Sequence, residues 1–154
     1  MKNKRIQDAV ELFGSGFSCS QAVFAAYSES LGLEKTQALK IAQPFGGGIA
    51  QRGELCGAVA GAFLVIGLKH GRTHPDDNAA KETTYELMRE FIRRFQQVHG
   101  KIVCKELLGF DLSTPQGHDQ AVEKGLFENF CPNLVETASR ILEELLDWTL
   151  TPHN

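Results

Sequence analysis

Residues 55–68 read Leu-Cys-Gly-Ala-Val-Ala-Gly-Ala-Phe-Leu-Val-Ile-Gly-Leu, apolar almost without a break. A membrane span needs roughly 20 such residues, so this run is too short to cross a bilayer and instead predicts a buried helix over about 54–69. A helix that is apolar nearly all round cannot lie at a surface, so other helices must enclose it. The expected architecture is therefore all-α: a compact bundle of about six to eight helices around one central, glycine-rich helix.

The rest of the chain supplies the enclosing helices. Helical periodicity runs from end to end, and no segment alternates apolar and polar residues between turn signals as a strand would. A first helix over 4–13 places Ile6, Ala9, Val10 and Phe13 on one face, and Gly14-Ser15-Gly16 ends it. A second, over 19–31, stops at Gly32. A third, over 35–43, must end near Pro44, because the residue before proline avoids helical geometry. The longest, over 77–99, follows the turn Thr73-His74-Pro75-Asp76-Asp77 and carries a core-facing stripe of Tyr85, Met88, Phe91, Ile92 and Phe95. A short helix over 101–108 is closed by Gly109, Ser113-Thr114-Pro115 opens another, and the last, over 132–148, buries Leu134, Ala138, Ile141, Leu142 and Leu145. With 154 residues and 42% hydrophobic content the chain suits a single domain over 1–154.

Charge narrows the function. Sixteen basic and 19 acidic residues are mixed along the chain for a net charge of −3, so no basic stripe invites nucleic acid. The basic start Met1-Lys2-Asn3-Lys4-Arg5 leads into an amphipathic helix rather than the apolar core of a signal peptide, which predicts a cytoplasmic protein without membrane insertion. In that reducing compartment four cysteines are better read as a metal site or working thiols than as two disulfides.

The four are Cys19, Cys56, Cys104 and Cys131. A helix N-terminus presents unpaired N–H groups and partial positive charge, which favour thiolate over thiol. Ser18 and Gln21 form an S-x-x-Q capping box that makes Cys19 the first helical residue. Pro132 suits a first helical position and makes Cys131 the N-cap. Cys56 stands at the start of the central helix, with Gly53 or a neighbour as cap, whereas Cys104 falls inside its short helix. Cys19 and Cys56 are thus the candidate reactive thiols, and all four are candidate metal ligands. No paired C-x-x-C sharpens the metal reading, and each cysteine alone could be core filler.

Glycine marks the same region. Gly57 and Gly61, with Ala58, Ala60 and Ala62, make a small-residue face that either brings another helix close or leaves room for a bound group. Gly46, Gly47 and Gly48 lack the G-K-[ST] ending of a P-loop and are better used to fold backbone N–H groups against the Cys56 sulfur. Glu54 is a proton handler beside Cys56 or simply a first-turn carboxylate. Among the histidines, His70 and His99 suit helix C-termini as dipole caps, and His74, His118 and His153 fall in polar stretches or near the chain end.

Cys19, the loop Phe45-Gly46-Gly47-Gly48, the segment Cys56-Gly57-Ala58-Val59-Ala60-Gly61, Cys104 and Cys131-Pro132 together resemble the bacterial and archaeal C_GCAxxG_C_C family of small redox-active proteins. The resemblance spans almost the whole chain and rests on four cysteines in order and a Cys-Gly-Ala-x-x-Gly element at Cys56, Gly57, Ala58 and Gly61. It implies a redox-linked or metal-linked role and supplies no substrate. The cysteine domain is also similar to the non-haem part of split-Soret cytochromes, which implies an iron–sulfur cluster; the C-x-x-C-H that attaches haem is absent from this sequence. The leading expectation is an electron-transfer or redox-sensing protein with a cluster, most simply [2Fe–2S], on all four cysteines, the glycines donating N–H groups to it. The rivals are a thiol–disulfide protein, a zinc site built from the four cysteines, and an interaction module that binds no metal. A redox partner protein is implied, and the apolar central helix with Trp148 leaves room for a homodimer.

Overall fold

The computed structural model describes residues 4–146. Helices occupy Lys4–Gly14 (α1), Cys19–Ser28 (α2), Lys35–Ala42 (α3), Gly57–His70 (α4), Asn78–His99 (α5), Cys104–Leu108 (α6), Pro115–Glu123 (α7), Leu126–Asn129 (α8) and Cys131–Leu146 (α9). Short 3-10 turns at Glu29–Leu31 and Gln43–Phe45 follow α2 and α3. Among the described residues the fold is all-α; β pairing is confined to an isolated antiparallel bridge between Leu55 and Val103. No described helix is long and apolar enough to cross a membrane. Trp148 and His153 lie outside the described residues.

Local signals explain most of these boundaries. The Ser18 hydroxyl accepts the Gln21 N–H at 3.4 Å while the Gln21 side chain accepts the Ser18 N–H at 3.1 Å, the reciprocal box expected at the start of α2. Asp77 caps α5 through the Ala80 N–H at 3.0 Å, and Thr114 caps α7 through the Gly117 N–H at 3.0 Å. Gly32, Gly100 and Gly109 close their helices at φ of 83°, 81° and 77°. One boundary differs in a way that matters: α4 begins at Gly57 rather than near Glu54, because residues 53–55 pair with residues 103–105 instead of winding into the helix.

The centre of the bundle is shared. As expected α4 is buried, with Gly57 to Ala62, Val65 and Ile66 all enclosed, but α2 is just as deep and packs on α1, α3, α4 and α9. Gly61 makes the α2–α4 crossing close: a Cβ there would stand 2.8 Å from the Ser20 carbonyl oxygen and 3.0 Å from Val23 Cβ. Polar groups inside the crossing are bonded, as burial requires. Ser20 Oγ donates to the Ala42 carbonyl at 2.8 Å, Gln21 Nε2 donates to Leu39 O at 3.0 Å, and Tyr27 OH donates to Ser139 O at 2.9 Å. Arg5 grips Glu143 with two hydrogen bonds of 2.9 and 3.1 Å, tying α1 to α9 beside Tyr27.

On the far side, burial in α5 is confined to its second half, where Phe91 and Phe95 stack at 6.0 Å and Phe63 of α4 meets Phe91 edge-on at 6.0 Å. Tyr85, expected in the core stripe, is 47% exposed, with Lys81 Nζ 5.7 Å from its ring centroid. A second, smaller core of Leu108, Leu112, Ala121, Cys104 and Cys131 joins α6, α7 and α9. The candidate site lies between the two cores.

Candidate functional site

All four cysteines stand at helix starts. Cys19 is the first residue of α2 and Cys131 the first of α9, followed by Pro132; Cys56 is the N-cap of α4. Cys104 corrects the sequence reading. It is the first residue of α6 behind an extended Val103, not a residue within the helix. The cause is the pairing of this segment with the strand-like approach to Cys56: the Cys56 N–H donates to Ile102 O at 2.8 Å, and the Cys104 N–H donates to Glu54 O at 2.5 Å. This pairing holds Val103 extended and delays α6 until Cys104. It also sets the starts of α4 and α6 side by side.

The loop over 46–53 closes the arrangement from a third side. Gly47, Gly48, Ile49, Ala50 and Gln51 are consecutive residues in the left-handed region, with φ of 64°, 74°, 66°, 49° and 61°. Left-handed helical backbone costs roughly 1–2 kcal/mol per L-residue, and a β-branched residue such as Ile49 is rare there. The turn is held by long-reach bonds: Ala50 N–H to Pro44 O at 2.9 Å, Gln51 N–H to Gly46 O at 3.0 Å, Gly53 N–H to Gly47 O at 3.1 Å and Glu54 N–H to Gly48 O at 2.9 Å. Such strain persists where the surroundings over-determine it, commonly at functional sites. Here it folds Gly48 so tightly that a Cβ would stand 2.7 Å from Cys104 Cβ and 2.6 Å from the Glu54 nitrogen. Gly57 performs the same service between α2 and α4, where a Cβ would lie 3.2 Å from Cys19 Cβ.

The result is a cavity of about 740 Å³ lined by all four cysteines. Gly47, Gly48 and Gly57 line it too; Gly46 packs on Ser18 and Gly61 on α2, and neither reaches it. Phe13, Phe17, Leu107, Leu112 and Phe127 supply apolar wall. His118, with nothing in its local sequence to mark it, also lines the cavity, its ring tilted on Phe127 at 5.7 Å. Glu54 does not line it: its half-exposed carboxylate pairs with Arg52 at 3.5 Å. Of the two histidines read as helix caps, His99 is fixed by a 2.9 Å hydrogen bond to Thr137 and its pKa is lowered by burial.

The four sulfurs are free thiols in unequal environments. The Cys19 thiol donates to the Cys131 sulfur, which together with burial holds Cys19 well above the usual thiol range. The same hydrogen bond stabilises Cys131 as thiolate and lowers its pKa. Burial pushes Cys56 up to about 11, against the opposing pull of the Ala58 and Val59 amides, whose N–H groups favour the thiolate without forming a capping bond. Burial, then the neighbouring sulfurs and Asp111, push Cys104 to about 12. Helix-start placement thus acts in the expected direction at Cys56 but is outweighed by desolvation. Of the candidate reactive thiols, Cys19 and Cys56 are protonated near neutrality, and the favoured thiolate is Cys131. In reduced, metal-free protein the iodoacetamide reaction of Cys131, followed peptide by peptide, should therefore level off at lower pH than that of the other three; four coincident pH profiles would contradict this. Among the described residues no three His, Cys, Asp or Glu side chains stand together tightly enough to hold a single metal ion.

Residues 17–145 match the family model described as "Putative redox-active protein (C_GCAxxG_C_C)". The chain belongs to the C_GCAxxG_C_C family. No curated protein and no solved structure matches it. The matched region contains all four cysteines, the left-handed loop and the bridge between residues 55 and 103, and stops one residue before the end of α9. For this member of the C_GCAxxG_C_C family, the segment Cys56 to Gly61 does two jobs. Its first half places a sulfur and a glycine at the cavity, and its last residue packs α4 on α2.

Proposed function

We propose that this redox-active protein carries an iron–sulfur cluster, most simply [2Fe–2S], on Cys19, Cys56, Cys104 and Cys131, and serves in electron transfer or redox sensing. The observation that carries the proposal is the convergence of four thiols, from four separated helix starts, on one cavity.

The donor set fits such a group. Four sulfurs are the ligand complement of common clusters, and the cavity is lined by backbone of Gly47, Gly48 and Gly57 where side chains would crowd a bound group. A single tetrahedral zinc would need all four sulfurs at about 2.3 Å from one centre, a tighter gathering than these side chains make. A cluster spreads its iron atoms and takes sulfurs from around a wider space. When bound, it would supply a one-electron carrier.

The chain's own residues then have definite work. The thiols must lose their protons to bind metal, so binding strengthens as pH rises toward the elevated values at Cys56 and Cys104. The Ala58 and Val59 amides favour negative charge on Cys56, and hydrogen bonds to sulfur tune the potential of such sites. Phe13, Phe17 and Phe127 would give the bound group an apolar wall. A partner protein would exchange electrons at the cavity.

Anaerobic purification followed by iron, sulfide and zinc analysis tests this. About two irons and two sulfides per chain are expected, and serine at any of the four cysteines should lower iron occupancy and alter the visible spectrum. Fully helical protein that takes up neither iron nor sulfide would refute the cluster; stoichiometric zinc without iron would replace it with a zinc site.

A further inference from the structure

Three helices that carry no cysteine still reach the cavity. Val10 and Phe13 come from α1, His118 from α7 and Phe127 from α8, and Phe17 adds a ring from the link into α2. Holding a metal on four sulfurs requires none of them. At roughly the 30 Å³ that a water molecule occupies, the four inorganic atoms of a [2Fe–2S] core fill on the order of 120 Å³, whereas the cavity measures about 740 Å³. About 600 Å³ is left over, within the range of small-molecule pockets. Phe17 is 36% exposed, so its ring stands at the opening. Among the described residues that line the cavity none is lysine or arginine, and the carboxylate of Glu128 belongs to an exposed residue at the rim. An anion would find no cationic partner there, and a cation would give up water for a partner that stays in water. His118 is the firmly placed polar group. Gly117 before it is buried and packs so closely that a Cβ would overlap the Asp111 carbonyl, which seats the first turn of α7. Neither ring nitrogen of His118 is hydrogen-bonded among the described residues, and Nδ1 stands 4.0 Å from the Asp119 carboxylate.

We propose that this cavity binds a small, uncharged, largely aromatic molecule beside the four sulfurs, its ring against Phe13, Phe17 and Phe127 and its hydroxyl or carbonyl group hydrogen-bonded to His118. That the ligand and a cluster occupy the cavity together rests on the cluster reading; the ligand site itself does not. Burial of the ring against aromatic faces supplies the affinity. Imidazole both donates and accepts, so His118 serves either kind of polar group and fixes which end of the ligand faces the opening. A molecule so placed displaces water from beside the redox group.

The whole chain, reduced and freed of metal by chelation, is titrated calorimetrically with three probes that share one ring system: 2-naphthalenemethanol, 2-naphthoate and 2-naphthylmethylamine. The alcohol should bind with a Kd on the order of 0.1 mM, and the anion and the cation at least roughly ten-fold more weakly. Equal or tighter binding of either ion overturns the uncharged class, and no saturable binding of the alcohol overturns the site. His118→Ala should weaken the alcohol roughly ten-fold and leave 2-methylnaphthalene, which has no hydroxyl, unchanged. Phe127→Ala should weaken both, and Leu68→Ala, an exposed apolar residue that does not line the cavity, should weaken neither. Alcohol binding that ignores both His118→Ala and Phe127→Ala lies elsewhere and refutes the proposal; because His118 is partly exposed, its variant keeps the test sound if Phe127→Ala fails to fold. Anaerobic incubation with iron and sulfide separates the two readings. Alcohol binding by a protein that takes up no iron would sink the cluster alone, and iron uptake without alcohol binding would sink the ligand site alone. Loaded protein should still bind the alcohol; if it excludes the alcohol, joint occupancy is overturned.

Discussion

Gly48→Ala should destabilise the protein by about 2–5 kcal/mol and remove tight iron binding with it. Two costs combine. Gly48 has φ of +74°, where an L-residue costs roughly 1–2 kcal/mol. The new methyl would also stand 2.6 Å from the Glu54 nitrogen, 2.7 Å from Cys104 Cβ and 2.8 Å from the Gly53 carbonyl carbon, two of them backbone atoms that cannot rotate away. Overpacking of this kind costs about 1–3 kcal/mol. Relief requires the loop to move off the segment that carries Cys104, which breaks the Glu54 N–H to Gly48 O bond and shifts Cys104, one of the four proposed ligands. Urea denaturation and iron stoichiometry after anaerobic reconstitution measure the two effects. Gly67→Ala is the matched control: it lies in α4 with nothing within 4 Å of an added Cβ, and should be neutral or gain up to ~1 kcal/mol. If Gly48→Ala is as stable as the parent and binds iron equally, the strained loop does not hold the site.

Phe91→Ala should cost about 3–5 kcal/mol while leaving the chemistry of the cavity intact. Phe91 is fully buried, stacked on Phe95 and met edge-on by Phe63, so truncation removes the ring contacts that join α5 to α4 and leaves a void that stiff aromatic neighbours cannot fill. It does not line the cavity. Iron bound per folded chain should therefore match the parent at low temperature, while the urea midpoint falls sharply. A loss of less than about 1 kcal/mol would show that the α4–α5 contact contributes little. The contrast with Gly48→Ala separates fold from site, because one substitution loosens the far side of α4 and the other disturbs its cysteine-bearing start.

Helix boundaries were readable wherever a local hydrogen bond or a steric rule sets them. The Ser18–Gln21 box, the Asp77 and Thr114 caps and the glycine closures at 32, 100 and 109 depend on residues within a few positions of one another. The apolar run before Leu68 likewise announced its own burial. Where a boundary depends on a distant segment, local reading failed. Residues 53–55 continue a helical pattern in sequence, yet they are drawn into extended pairing with a segment almost fifty positions away, and this also moved Cys104 from helix interior to helix start.

The sequence by itself determined that this chain is an all-α protein, that its central helix must be enclosed, and that Cys19 and Cys131 begin helices, because periodicity, capping and proline geometry act over a few residues. Only the tertiary structure decided that the four thiols share one cavity, that Cys104 opens its helix, and that Gly61 serves helix packing while Gly48 serves the site. It also decided which sulfur is favoured as thiolate. A helix start pulls every one of these cysteines the same way, whereas burial and the hydrogen bond from Cys19 to Cys131 depend on which chain segments meet around each sulfur.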